Sequence, residues 1–201
     1  IVLVDRPGSV QADLRIGRLA VTRSHPDYFP LLVGNTILGG GASSRIFMNI
    51  REKKGFAYDA RSTALPLKDA GTFAAITQVR NEVLTPALEA IFDELKQIAA
   101  APVSADELTT AQNYLSGVFV IRLETQDGLA GQLAGTKLMG LPLDYLEKYT
   151  ARVRAVTPAQ ISAVAAKYIH PDKASIVVVG DASQIAKQLE RFGKVTIEQA
   201  K

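Results

Sequence analysis

The sequence has no cysteine, no tryptophan and only two histidines, His25 and His170. Without cysteine it has neither a disulfide framework nor a thiolate metal site, which is compatible with the bacterial cytoplasm and with a periplasmic protein that lacks disulfides. A catalytic metal ion needs about three protein ligands in fixed geometry, usually histidine and carboxylate. Each histidine directly precedes a proline, and no H-x-x-E-H motif occurs in either orientation. The sequence therefore predicts no metal site in this chain.

Long apolar runs and strong charge are also missing. No segment approaches the roughly 20 apolar residues that a membrane-spanning helix needs. The formal net charge of +3 is small and scattered, and no basic cluster is interleaved with aromatic residues as in nucleic-acid-binding proteins. We therefore expect neither a membrane span nor a nucleic-acid partner. With 201 residues, of which 47% are hydrophobic, the chain is long enough to bury a core.

The predicted strands are grouped early in the chain and most of the helices late. Residues 10–22 alternate between apolar and polar, and residues 57–65 and 72–80 form a predicted antiparallel hairpin. This order favours an α+β fold, a two-layer sandwich of a mostly antiparallel sheet covered by helices. No repeat or linker divides the chain, so residues 1–201 are interpreted as one domain. The start at Ile1, without an initiator methionine, suggests a fragment of a longer chain.

Several helix ends carry local signals. Pro26 is predicted to be the first residue of a helix, a position at which proline is favoured. Ser104 and Glu107 fit a capping box, and Asp127 is a candidate N-cap of a later helix. Leucine and isoleucine recur on one helical face between residues 84 and 99. Near the end, residues 175–179 predict a central strand and residues 181–192 a last helix.

The most informative stretch is 38–58, LGGGASSRIFMNIREKKGFAY. It opens with three glycines, which neither a helix nor a strand accepts without cost. Ser43 and Ser44 follow as candidate caps of the next helix. A serine nucleophile is a weaker interpretation, because no G-x-S-x-G context or nearby histidine base accompanies them. A phosphate cradle is also weaker, because no lysine-serine or lysine-threonine pair follows the glycines.

The second half of this stretch predicts a helix, a reversal and a strand. Apolar residues 46, 47 and 50 give the helix a buried face, and Gly55 is a natural left-handed stop. Arg51 then lies in the last helical turn and Tyr58 at the start of a strand. These two polar side chains are therefore expected to converge, either for function or merely for packing and solvation.

The motifs GGG-x-SSR-x-F and REKKG-x-x-Y resemble the signature of the C-terminal half-domain of the pitrilysin/insulinase-type zinc peptidases, which include the mitochondrial processing peptidases. The resemblance extends along nearly the whole chain. It implies a LuxS/processing-peptidase-like metallopeptidase half-domain in which Arg51 and Tyr58 bind the peptide substrate. It also implies that the zinc lies on a partner domain or subunit of the same fold, which carries the H-x-x-E-H motif. The present domain has no zinc ligands and is not expected to be catalytic alone.

Three functional hypotheses follow. In the first, the domain is the non-zinc-binding half of a zinc metalloendopeptidase and stabilises the transition state opposite the H-x-x-E-H domain. In the second, it is a proteolytically inactive structural subunit, because core subunits of respiratory complexes belong to the same family. Retention of both Arg51 and Tyr58 favours the first. An independent ligand-binding domain that uses the glycine loop is the weakest of the three.

Overall fold

Strand β2 (Gln11–Ala20) shows how the sheet acquires one covered and one open face. Ala12, Leu14 and Ile16 are buried, whereas the residues between them are exposed. Successive side chains of a strand point to opposite faces, so this alternation places the first set against the helices. The computed structural model describes residues 1–199 of the chain. Within them the helices cover one face of a single sheet.

Besides β2, the sheet in residues 1–199 contains β1 (Val2–Asp5), β3 (Ala60–Pro66), β4 (Gly71–Arg80), β5 (Ser175–Gly180) and β6 (Thr196–Gln199). Their order is β3-β4-β2-β5-β1-β6. Strand β2 is antiparallel to β4 and β5, and β3 is antiparallel to β4, whereas β1 is parallel to β5 and β6. The sheet is thus mostly antiparallel, as predicted, and β3 forms one of its edges.

The helices fall mostly between β4 and β5. They are α1 (Tyr28–Gly39), a π-helix (Phe47–Lys53), α2 (Leu84–Ala100), α3 (Ala105–Leu123), α4 (Gln126–Leu138), α5 (Tyr145–Arg154), α6 (Pro158–Tyr168) and α7 (Ala182–Leu189). Short 3₁₀ segments occur at Asn81–Val83, Pro171–Lys173 and Glu190–Phe192. No helix among the described residues has the length and apolar character needed to cross a membrane.

Helix α2 lies at the centre of the helical layer. Its inward residues recur at the predicted helical spacing and are almost completely inaccessible: Leu84, Leu88, Ile91, Leu95 and Ile98. Removing a large aliphatic side chain from water contributes about 2 kcal/mol, so this stripe is a main source of the domain's stability. The predicted capping box of α3 is present, since Ser104 Oγ accepts from the Glu107 amide and Glu107 accepts from the Ser104 amide.

Several predicted element ends were wrong. Helix α1 begins at Tyr28 and not at Pro26, because residues 24–27 form a turn in which the Asp27 carboxylate binds Lys167 and Tyr168. Thr125, not Asp127, caps α4 through a hydrogen bond from the Gly128 amide. The last helix, predicted for residues 181–192, is α-helical only to Leu189 and ends as a 3₁₀ turn at Glu190–Phe192. Strand β6 was not predicted, because all its residues are exposed and it has no apolar alternation.

Candidate functional site

The first part of the glycine run lets helix α1 approach strand β3 closely. Gly39 is the last residue of α1, and a Cβ placed on it would lie 2.2 Å from the Ser62 backbone nitrogen. No real Cβ occupies such a position, so only glycine fits at this helix–strand contact. At Gly41, in contrast, an added Cβ would meet open space. The close approach at Gly39 explains why glycine occupies the end of α1 without any need for a bound phosphate.

The predicted capping role of Ser43 and Ser44 was wrong. Ser44 is buried, and its hydroxyl has no hydrogen-bond partner among residues 1–199. Ser43 is exposed and makes no capping bond. Residues 41–44 form a turn in which the Ser44 amide donates to the Gly41 carbonyl, so the start of the next helix is fixed by the backbone.

The helix that follows the glycines is a π-helix. The Lys54 amide donates to the Asn49 carbonyl at 3.1 Å, a five-residue bond, and Gly55 ends the helix with φ of +61°. Wide turns of this kind are frequent at functional sites. The Asn49 side chain, in the π-helix, donates to the buried Glu94 carboxylate of α2 at 2.6 Å. The widened turn is therefore anchored to the central helix.

Arg51 and Tyr58 converge as predicted. The Arg51 guanidinium carbon lies 4.6 Å from the centre of the Tyr58 ring and 4.8 Å from the centre of the Phe47 ring. Cation–π contacts of this kind contribute about 0.5–1 kcal/mol at exposed sites and orient the groups that make them. Tyr58 lies in the loop before β3 and not in the strand, because Ala60 is the first residue that pairs with β4.

The Tyr58 side chain is directed to solvent and is available to a ligand. Tyr58 is 84% exposed, and its hydroxyl makes no hydrogen bond within residues 1–199. The Arg51 side chain is 36% exposed, with Nε 3.4 Å from a Glu52 carboxylate oxygen. The pair thus presents one phenolic donor, held by an arginine that has further donors of its own.

A groove runs along the outer edge of β3 and begins at Asp59, next to Tyr58 in the chain. Tyr58 itself lines a separate depression, together with Arg15 and Gln78. The groove has a volume of about 560 Å³, and residues 59–64 form one wall. Helices α1, α3 and α4 contribute most of the remaining lining, with Tyr114 and Arg122 among the side chains. Phe47, which stacks under Arg51, lines the same groove. An edge strand has unpaired backbone N–H and C=O groups, so this groove is suited to an extended peptide. The groove could not be predicted from the sequence, since its walls come from segments that are far apart in the chain.

An ion pair fixes the start of the π-helix segment to α3. Arg45 Nε and Nη2 donate to the two oxygens of Glu107 at 2.6 and 2.9 Å. The hydrogen bonds from Arg45 hold the pKa of Glu107 at about 2, below its usual value of 4.5. Glu107 was identified from sequence only as a capping residue. Its second role was not predictable, because Arg45 is 62 residues away.

Glu107→Gln is expected to lower the free energy of unfolding by about 1–2 kcal/mol at pH 7. Because the folded-state pKa is below the unfolded value, the carboxylate stabilises the fold above about pH 4.5 and loses this effect as the pH falls toward 2. Urea denaturation should therefore show a difference between wild type and variant that shrinks below pH 4.5. Glu82→Gln, in an exposed pair with Arg80, is the matched control. A difference that does not vary with pH would contradict this role of Glu107.

Both histidines lie outside helices, as predicted. His25 Nδ1 accepts from the Asp27 amide at 3.0 Å, and His170 caps the 3₁₀ turn at Pro171–Lys173. Among residues 1–199 no group of three histidine, aspartate or glutamate side chains is placed to hold a metal ion.

Comparisons with known proteins agree with the fold and with the motif. The family model of the peptidase M16 inactive domain matches residues 1–115. An uncharacterized zinc protease of Streptomyces coelicolor is 32% identical over 155 residues, which are 77% of this chain and 34% of that protein. The crystal structure of a peptidase M16 inactive domain from Pseudomonas fluorescens has a TM-score of 0.82 and 30% identity, over 90% of this chain and 43% of that chain.

A further relative carries a different description. A Bacillus subtilis protein named "probable inactive metalloprotease" is 24% identical over 160 residues, which are 79% of this chain and 37% of that protein. The chain thus spans little more than a third of the length of these curated relatives. The family resemblance drawn from the sequence motifs is confirmed, since the family model matches more than half of the chain. The chain belongs to the peptidase M16 inactive-domain family.

Proposed function

We propose that this domain is the non-zinc-binding half of a zinc metalloendopeptidase, which binds the peptide substrate and stabilises the transition state. Its partner would be a domain of the same fold that carries the H-x-x-E-H motif and the zinc, in the same chain or in a separate subunit. The observation that carries the proposal is the contact of the Arg51 guanidinium with the exposed Tyr58 ring, next to the groove along β3.

The substrate main chain would bind along the outer edge of β3. Hydrogen bonds between an added strand and an edge strand involve only backbone atoms, so they hold a peptide without selecting its sequence. The wall formed by α3 and α4 would limit the peptide to an extended conformation. This mode of binding suits an enzyme that acts on unfolded segments.

Tyr58 would act on the reacting carbonyl. As the carbonyl oxygen gains negative charge during attack by water, the phenol O–H donates a hydrogen bond that is stronger in the transition state than in the ground state. Arg51 would position this phenol through the ring contact and offer its remaining N–H groups to the peptide backbone. Neither side chain activates the water, so the domain alone would not hydrolyse peptides.

Peptide cleavage by the H-x-x-E-H half, with and without this domain, tests the proposal. Zinc is supplied in both reactions, and binding of the two halves is verified separately. We expect cleavage of a fluorogenic peptide only when the halves are combined. Binding of the halves without any gain in cleavage would exclude the split active site.

A structural subunit without proteolytic activity is the second candidate. The Bacillus subtilis relative named as an inactive metalloprotease favours it, because the same fold occurs in a protein described as lacking activity. In that case Arg51→Gln and Tyr58→Phe would leave the association with the partner unchanged, and no peptidase activity would be found to lose. The same cleavage experiment therefore separates the two candidates.

A further inference from the structure

A second cavity lies away from Arg51 and Tyr58, where the segment before α1 meets α5. Its volume is about 410 Å³, and both arginine and apolar side chains line it. Arg23, which also lines the groove along β3, enters from the β2–α1 connection, and Arg152 enters from α5. Phe29, Leu141 and Val156 form apolar parts of the wall. We call this the Arg23–Arg152 cavity.

Both arginines contact the same aromatic ring. The guanidinium carbons of Arg23 and Arg152 lie 5.4 and 5.5 Å from the centre of the Tyr145 ring. Arg23 also lies 4.6 Å from the Tyr28 ring, and Arg152 lies 5.7 Å from the Phe29 ring. The aromatic contacts hold both guanidiniums in place, so their positive charges converge on one cavity without the freedom of surface side chains.

No acidic side chain in the described part of the chain forms an ion pair with these two guanidiniums. Among residues 1–199, no carboxylate lies within 4 Å of either guanidinium, and Arg23 Nε donates only to the neutral Tyr145 hydroxyl at 3.0 Å. The partly buried Arg45, in contrast, is held by both oxygens of Glu107. Asp27 pairs with Lys167 and Asp144 with Lys148. The charge of Arg152 also contributes to the lowered pKa of Asp144, after the hydrogen bond from Lys148, but without direct contact.

The neighbouring phenols do not act as counter-ions either. Burial raises the pKa of Tyr28, of Tyr145 and of Tyr149 above the usual value of a phenol. Each hydroxyl therefore stays protonated and neutral over the physiological pH range. Two arginines that are partly desolvated and lack an anion cost free energy, and a bound anion would recover it.

We propose that the Arg23–Arg152 cavity binds a small organic carboxylate with an apolar body. A guanidinium presents a planar fork of N–H donors that matches the two oxygens of a carboxylate. The apolar wall would cover the hydrocarbon part of the ligand, as in most small-molecule sites. A free carboxylic acid and the C-terminal residue of a peptide share this chemistry. The assignment does not depend on the proposed peptidase function.

Calorimetric titration of the 201-residue chain tests the proposal with two ligand pairs. Octanoate is compared with octanamide, and N-acetyl-leucine with N-acetyl-leucinamide, so that each pair differs in the negative charge. We expect saturable binding of at least one carboxylate and at least tenfold weaker binding of its amide. Preference for octanoate would assign the site to free acids, and preference for N-acetyl-leucine to peptide ends. Equal binding of acid and amide, or no saturation by about 10 mM, would overturn the proposal.

Arg152→Gln is the main variant, because Arg152 is only partly buried and does not belong to the hydrophobic core. Its carboxylate affinity is expected to fall roughly tenfold, which corresponds to about 1.4 kcal/mol. Arg154→Gln is the matched control, since it removes the same charge from the same helix but Arg154 is exposed and does not line the cavity. If both variants lost the same carboxylate affinity, the effect would come from the net charge of the protein and not from this cavity, and the proposed site would be wrong. If inorganic phosphate bound as tightly as octanoate, the apolar wall would not contribute to binding, and the proposal of a ligand with an apolar body would be wrong.

Discussion

Replacing Tyr58 by phenylalanine is expected to lower kcat of the assembled peptidase by roughly 100- to 1,000-fold, the usual cost of losing one oxyanion donor. The hydroxyl makes no hydrogen bond within residues 1–199, and the side chain is 84% exposed. Its removal therefore leaves no buried polar group unpaired and should not change the free energy of unfolding. The phenyl ring still lies under the Arg51 guanidinium, so any decrease in kcat is due to the missing hydroxyl alone.

The kinetic constants separate this role from peptide binding. A donor that acts only on the transition state lowers kcat and kcat/KM by the same factor, whereas a donor that binds the ground state raises KM. Tyr168→Phe is a suitable control, because it removes a hydroxyl from α6 that binds Asp27 and does not line the groove. Both variants should be assayed with the zinc-bearing partner present. An unchanged kcat for Tyr58→Phe would exclude the proposed role.

The convergence of Arg51 and Tyr58 could be predicted because it depends on local signals. Tyr58 follows Arg51 by seven positions, and Gly55 reverses the chain between the two with a positive φ. The inward face of α2 and the capping box at Ser104 were predictable for the same reason, since periodicity and capping depend on neighbours in sequence. The role assigned to the pair came from the family resemblance and not from spacing.

Features that depend on distant contacts were not predictable. A π-helix differs from an α-helix by one extra residue in a turn, which the apolar pattern of residues 46–50 does not reveal. The ion pair of Arg45 with Glu107 and the grouping of Arg23 with Arg152 join residues far apart in the chain. These residues become neighbours only in the folded domain, where the order of the strands brings the helices together. The same holds for the groove, since only the topology makes β3 an edge strand.

Gly39→Ala is expected to lower the free energy of unfolding by about 2–3 kcal/mol, because overpacking at a rigid contact costs this much. The added Cβ would lie 2.2 Å from the Ser62 nitrogen and 2.8 Å from the Ser62 Cβ. Ser62 pairs with Ala75 in the sheet, so its backbone cannot shift without moving β3. For a chain of this size the melting temperature should fall by roughly 5–10 °C.

Gly41→Ala provides the matched control two residues later. Its Cβ would meet open space, and its φ is not positive, so the substitution should be neutral or stabilise the fold by about 0.5 kcal/mol through the unfolded state. Thermal unfolding followed by circular dichroism compares the two variants directly. Equal stability of the two variants would mean that α1 and β3 can separate freely, and that the glycine run is not required for their contact.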